Sequence, residues 1–192
     1  MDTSDCKVRL GRGICFSMKK KVILIGLPIL VAALAFTFYR MGGFREIELE
    51  VVENPQIELS GLRFVGIPQD RQLRQSFEQM EQVLQQHPEA RLHTIYFREP
   101  AGKLDTMEVF VGIEKKWLTA AQPGFENLNL SAPQAAVAHI HRHRFVMPNP
   151  ETVKASLRDF AKANKLPEPT LFIDQIVNPE EVRVIGISPI QQ

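Results

Sequence analysis

Three histidines recur at every second position: His139, His141 and His143. On a regular strand that spacing places all three imidazoles on one face. Two of them could share a zinc ion, provided a third ligand came from elsewhere in the chain. The chain has two cysteines, Cys6 and Cys15, both near the N-terminus, and the other two histidines, His87 and His93, are isolated. The expectation is therefore no metal and no cofactor, with the His row as a polar strand face. A second group is aromatic. Tyr96, Phe97 and Trp117 lie near the ends of apolar runs, and small-molecule pockets favour such rings. Tyr96 and Trp117 are taken as ligand contacts. No Ser-His-Asp spacing, Gly-rich phosphate loop or CxxC is present, so no catalytic residue is assigned.

The elements that would carry these residues show internal repetition. Val111-Gly112-Ile113 is echoed 74 positions later by Ile185-Gly186-Ile187. Each copy ends a short apolar run that follows a charged, Pro-containing loop. Ahead of each lies a helical pattern. Leu73, Phe77 and Met80 form one stripe, and shifting by 80 gives Val153, Leu157 and Phe160, with Pro68 falling on Pro148. The Arg-, Gln- and Glu-rich face of residues 71–86 is a solvated helix surface. Residues 47–52 alternate as a strand with one wet face, residues 57–67 resume an extended pattern, and residues 92–97, 107–113, 135–145, 170–176 and 182–187 also read as strands. Residues 119–133, with Pro123-Gly124 and Pro133, read as a linker. The expected fold class is α+β: duplicated βαββ units, halves 44–117 and 118–192, related by a pseudo-twofold axis. Two helices would cover an antiparallel sheet, because each unit alone is too small to bury its own faces. A cleft is expected at the seam.

Residues 22–39 carry no charge and follow Lys19-Lys20-Lys21. At ~1.5 Å per residue they span about 27 Å, near the thickness of a bilayer core. A single-pass transmembrane anchor is expected, with a cleaved signal peptide as the alternative. Residues 1–21 form a basic tail, and residues 1–17 drop out if Met18 is the start. Residues 1–39 have net charge +4 and residues 40–192 net −3. The excess of positive charge before the segment places the N-terminus in the cytoplasm and the domain outside. The acidic balance of residues 40–192 argues against a nucleic-acid partner.

The order of elements resembles the GyrI-like domain, the group of gyrase inhibitors and effector-binding domains of multidrug-responsive bacterial transcription activators. The resemblance rests on Val51-Val52-Glu53-Asn54-Pro55, the stretch Ile95-Tyr96-Phe97-Arg98-Glu99-Pro100, Val111-Gly112-Ile113, the strand of residues 135–145 entering a Pro-led helix, and Asn178-Pro179-Glu180-Glu181. It covers about residues 46–190. It implies a cleft that binds small, often cationic or aromatic, molecules through a buried Glu, and some members are similar to hydrolases. The position six residues before the loop proline is Ile173, not an acid. Asp174 is the nearest carboxylate and is taken as the third ligand contact, although regular alternation would turn it to the opposite face from the family's Glu. The reading is a membrane-anchored, non-enzymatic domain that binds a small apolar or aromatic molecule or a protein partner. A hydrolase using Asp174 or Glu108 with an aromatic residue is the first alternative. An envelope adaptor whose cleft is filled by side chains is the second.

Overall fold

A computed structural model describes residues 27–118 and 123–189, together with the backbone of the first helix from Ile14. The chain divides into two compact units, residues 1–41 and 42–192.

The first unit contains α1, Ile14–Arg40, with Pro28 inside it. From Leu27 to Tyr39 its large apolar side chains are exposed. Among the described residues no helix is long and apolar enough to cross a membrane. The tail of residues 1–13 and the side chains of residues 14–26, which include the start of the expected span, lie outside what is described.

The second unit is an eight-stranded antiparallel sheet with two helices. Its elements are β1 (Glu48–Glu53), β2 (Gln56–Gly66), α2 (Arg71–Gln86), β3 (Leu92–Arg98), β4 (Met107–Glu114), β5 (Glu126–Ser131), β6 (Gln134–His141), α3 (Pro150–Ala163), β7 (Leu171–Asn178) and β8 (Glu181–Ile187). The strand order is β1-β6-β8-β7-β3-β4-β2-β5. The α+β expectation holds at this level. The sheet carries one more strand than expected, because the stretch read as a linker supplies β5, which pairs with β2 from Gln56↔Ser131 to Gly61↔Glu126.

Connectivity forces this sheet to curl. β1 and β2 stand six positions apart, about 29 Å in a flat sheet at ~4.8 Å per strand. Only Asn54 and Pro55 join them, a link of at most about 11 Å. β5 and β6 are also six positions apart and are joined by Ala132 and Pro133 alone. The two short crossovers meet: the Asn54 N–H donates to the Pro133 carbonyl at 2.8 Å.

Curling gives the sheet two different faces. The outer face is covered by α2 and α3. Met80 and Val83 of α2 pack on Phe64, Val109, Val111 and Ile113. Val153, Leu157 and Ala161 of α3 pack on Ala136, Ala138, Ile140 and Val184. Both helices start on a side-chain cap, Asp70 accepting from the Gln72 N–H and Asn149 from the Glu151 N–H. Among the described residues of this unit no helix covers the inner face, yet Ile95, Phe110 and Ile173 are fully buried there with Leu59, Val137 and Ile187. The sheet closes over its own side chains.

Candidate functional site

At the middle of the sheet β7 meets β3, with Thr94 opposite Asp174 and Leu92 opposite Ile176. These residues face the helices, since Thr94 is also opposite Val111, and Asp174 opposite Val184. α2 lies over one half of the sheet and α3 over the other, which leaves a cleft above the central pair. Phe77 of α2 and Val153 and Lys154 of α3 form its walls.

The cleft holds two adjoining cavities. One, of about 350 Å³, is strongly apolar and is lined by Phe77, Ile140, Met147, Val153, Ile176 and Val182 among others. The second, of about 570 Å³, is more polar and includes Phe97, Glu99, Glu151, Arg158 and Phe172. Tyr96, Pro150, Lys154 and Asp174 line both. Volumes in this range suit small organic ligands. Tyr96 and Phe97 are consecutive yet line the same cavity, because the pairing of β3 with β4 shifts register between Tyr96 and Arg98.

The electrostatics centre on Asp174. Burial pushes its carboxyl above the usual carboxylate range; Lys154 pulls it back, and Glu99 pushes it further up. No hydrogen bond to its carboxylate is formed among the described residues. The one nearby ammonium is already engaged: Lys154 donates to Glu99 and, at 3.1 Å, to Glu151. Burial works against the Lys154 charge, but the hydrogen bonds to Glu99 and Glu151 and the attraction of their charges together outweigh it, and its pKa rises. The Tyr96 phenol is also raised, first by burial and then by Asp174 and Glu99. Aromatic rings complete the walls, with Arg158 stacked over Phe172 at 5.1 Å.

The sequence-predicted residues separate at this point. Tyr96 and Asp174 come together in the cleft. Asp174, not Ile173, is the β7 residue on the helix-covered face, so the expected orientation is reversed; Ile173 is sealed in the curled interior. Trp117 lines neither cavity. It packs against the core under α2, with the His87 ring 6.1 Å away. Glu108 is held by Arg63 at 2.6 Å and is not part of the cleft. The His row is broken: His143 leaves the strand and caps a short 3-10 turn through the Phe145 N–H. Lys154, Phe172 and Glu99 were missed. Lys154 looks like any solvated helix lysine until the helix is docked.

An antiparallel curled sheet with two helices flanking a central cleft defines the class of fold. No family model matches the sequence, and no curated protein matches it. Solved structures share the fold. A hydrolase from Listeria innocua is 8% identical with a TM-score of 0.51, covering 72% of this chain and 90% of that one. A second hydrolase from Listeria innocua is 6% identical with a TM-score of 0.51, covering 78% and 96%. An uncharacterized conserved protein from the same organism is 9% identical with a TM-score of 0.50, covering 72% and 91%. At such identities the likeness is one of fold alone, and it is consistent with the resemblance to the GyrI-like domain.

Proposed function

We propose that residues 42–192 form a GyrI-like binding domain that takes a small aromatic cation into the cleft, without chemistry, and that it arose by duplication of one strand–helix unit. The observation that supports this reading best is Asp174. A carboxylate short of hydrogen bonds, set between two cavities and beside aromatic walls, is costly to maintain unless something cationic occupies the space. Cation–π contact with Tyr96 and Phe172 would add to the attraction. The apolar cavity takes the hydrophobic part of the ligand, and an unfilled cleft does not suit the adaptor reading.

The test uses two probes of equal size and opposite charge. Tetraphenylphosphonium is expected to bind and to raise the melting temperature, and tetraphenylborate is not. Equal effects of the two, or none, would remove the reading.

The hydrolase reading keeps one specific support, a carboxyl displaced upward beside a tyrosine. The same displacement of the Tyr96 phenol counts against its use as a nucleophile, because the phenol stays protonated.

The duplication is supported by strand order. Exchanging β1 with β5, β2 with β6, β3 with β7 and β4 with β8 reverses the order and leaves it otherwise unchanged. The anchor remains part of the proposal on charge and apolar length, with the domain on the outer side. An alkaline wash of membranes carrying the full chain should leave it in the pellet; release into the supernatant would exclude a retained span.

A further inference from the structure

The inner face of the sheet carries a second polar group, away from the cleft. Ala135 and Val137 of β6 point into the curled interior. His139 and His141 continue that row toward the rim. Pairing with β8 sets His141 opposite Glu181 and His139 opposite Arg183. Pairing with β1 sets Val137 opposite Glu50, so Glu50 shares this face and reaches His139 diagonally. The two imidazoles lie nearly parallel, with centroids 6.4 Å apart and 12° between planes. One ligand atom each from His139, His141 and Glu181 falls within 4.8 Å of the others. The Glu50 Oε1 lies 2.8 Å from the His139 Nε2. The His139 and Glu181 side chains keep only 17% and 16% of their exposure.

We propose that His139, His141 and Glu181 form a binding site for a borderline first-row divalent cation such as Zn²⁺, with Glu50 as fourth ligand or as the hydrogen-bond partner that orients His139. Two imidazoles and a carboxylate suit Zn²⁺ and its neighbours, and disfavour Mg²⁺ and Ca²⁺, which prefer all-oxygen shells. Ligand atoms around a tetrahedral zinc lie about 3.3 Å apart, so small side-chain rotations close the site. The charges suit a dication: Glu50 and Glu181 face it, and Arg183 is the competing cation, holding Glu181 at 2.9 Å. A bound ion would join β1, β6 and β8, fixing the edge strand β1 to the sheet.

The experiment is a zinc titration of the untagged full chain in detergent, in a Cys6→Ser/Cys15→Ser background so that no thiol contributes. One zinc per chain is expected, with magnesium far weaker. The melting temperature should rise by about 5–10 °C at zinc roughly a hundredfold above Kd. His141→Ala and Glu181→Gln should each weaken zinc at least tenfold, about the loss of one ligand, while Arg183→Gln should tighten it by freeing the Glu181 carboxylate. Glu181→Gln keeps its shape, so it decides the matter if His141→Ala melts early. Zinc no tighter than magnesium, or an affinity untouched by Glu181→Gln, would mean an ordinary strand-face ion pair and overturn the site.

Discussion

Asp174→Asn should weaken tetraphenylphosphonium binding by about 10- to 100-fold, the loss expected for one charged contact in a partly dry site. The same change should raise the melting temperature at neutral pH by about 2–4 °C, roughly 1 kcal/mol for a domain of this size. The two effects have one origin. The folded protein holds the Asp174 carboxyl above its ordinary value of 3.8, chiefly by burial. The native state therefore binds that proton more tightly than the unfolded chain does. Its stabilising contribution is complete below the unfolded value and is lost as pH rises through the folded one. At neutral pH the charged form burdens the native state, and asparagine removes the burden. The gain in melting temperature should accordingly shrink as the solution is acidified. Ligand affinity in the parent protein should fall over the same range, because the protonated carboxyl no longer attracts a cation. Lys154 cannot substitute for the ligand, since Glu99 and Glu151 already hold it. Scanning calorimetry across pH and isothermal titration check both arms. A variant that loses stability yet keeps its affinity would show Asp174 to be structural.

Much of the fold was legible because it is written in short-range patterns. The two copies of the Val111-Gly112-Ile113 echo fall on β4 and β8, each the second strand after a helix. The stripes of Phe77 and Leu157 mark the two helices. β5 was not legible. Glu126–Ser131 is half Asn and Glu and sits between proline-bearing turns, so local preference speaks against a strand. What makes it one is the free edge of β2, far away in sequence. Site orientation failed for a related reason. Alternation along β7 separates Ile173 from Asp174 but does not say which of them faces the helices, and a one-residue slip exchanges the two. Only the pairing of Asp174 with Thr94 settles that. His139 and His141 were visible as a pair, but Glu181 joins them through the β6–β8 register, which no spacing rule reports.

The echo also makes a prediction in which its two copies disagree. Gly112→Ala should destabilise the domain by about 3 kcal/mol, lowering its melting temperature by roughly 6–12 °C, whereas Gly186→Ala should cost about 1 kcal/mol or less. A Cβ at Gly112 would lie 2.6 Å from the Ser60 carbonyl oxygen and 2.7 Å from the Phe110 ring. The first neighbour is backbone of a paired strand, held by the β2–β4 ladder. The second is fully buried in the curled interior and has little room to move. Opposite Gly112 stands Gly61, where a Cβ would lie 2.2 Å from the Val111 carbonyl oxygen, so neither strand can withdraw from the other. The nearest neighbours of a Cβ at Gly186 are side chains, the Pro169 ring at 3.0 Å and Phe172 at 3.4 Å. Phe172 is a wall of the cleft and is partly exposed, so it can rotate away. The milder variant should then have its main effect on the ligand site and the harsher one on folding. Thermal melts paired with tetraphenylphosphonium titrations separate the two. Equal losses of stability would mean that the curled interior around Gly112 is packed no more tightly than the helix-covered face around Gly186.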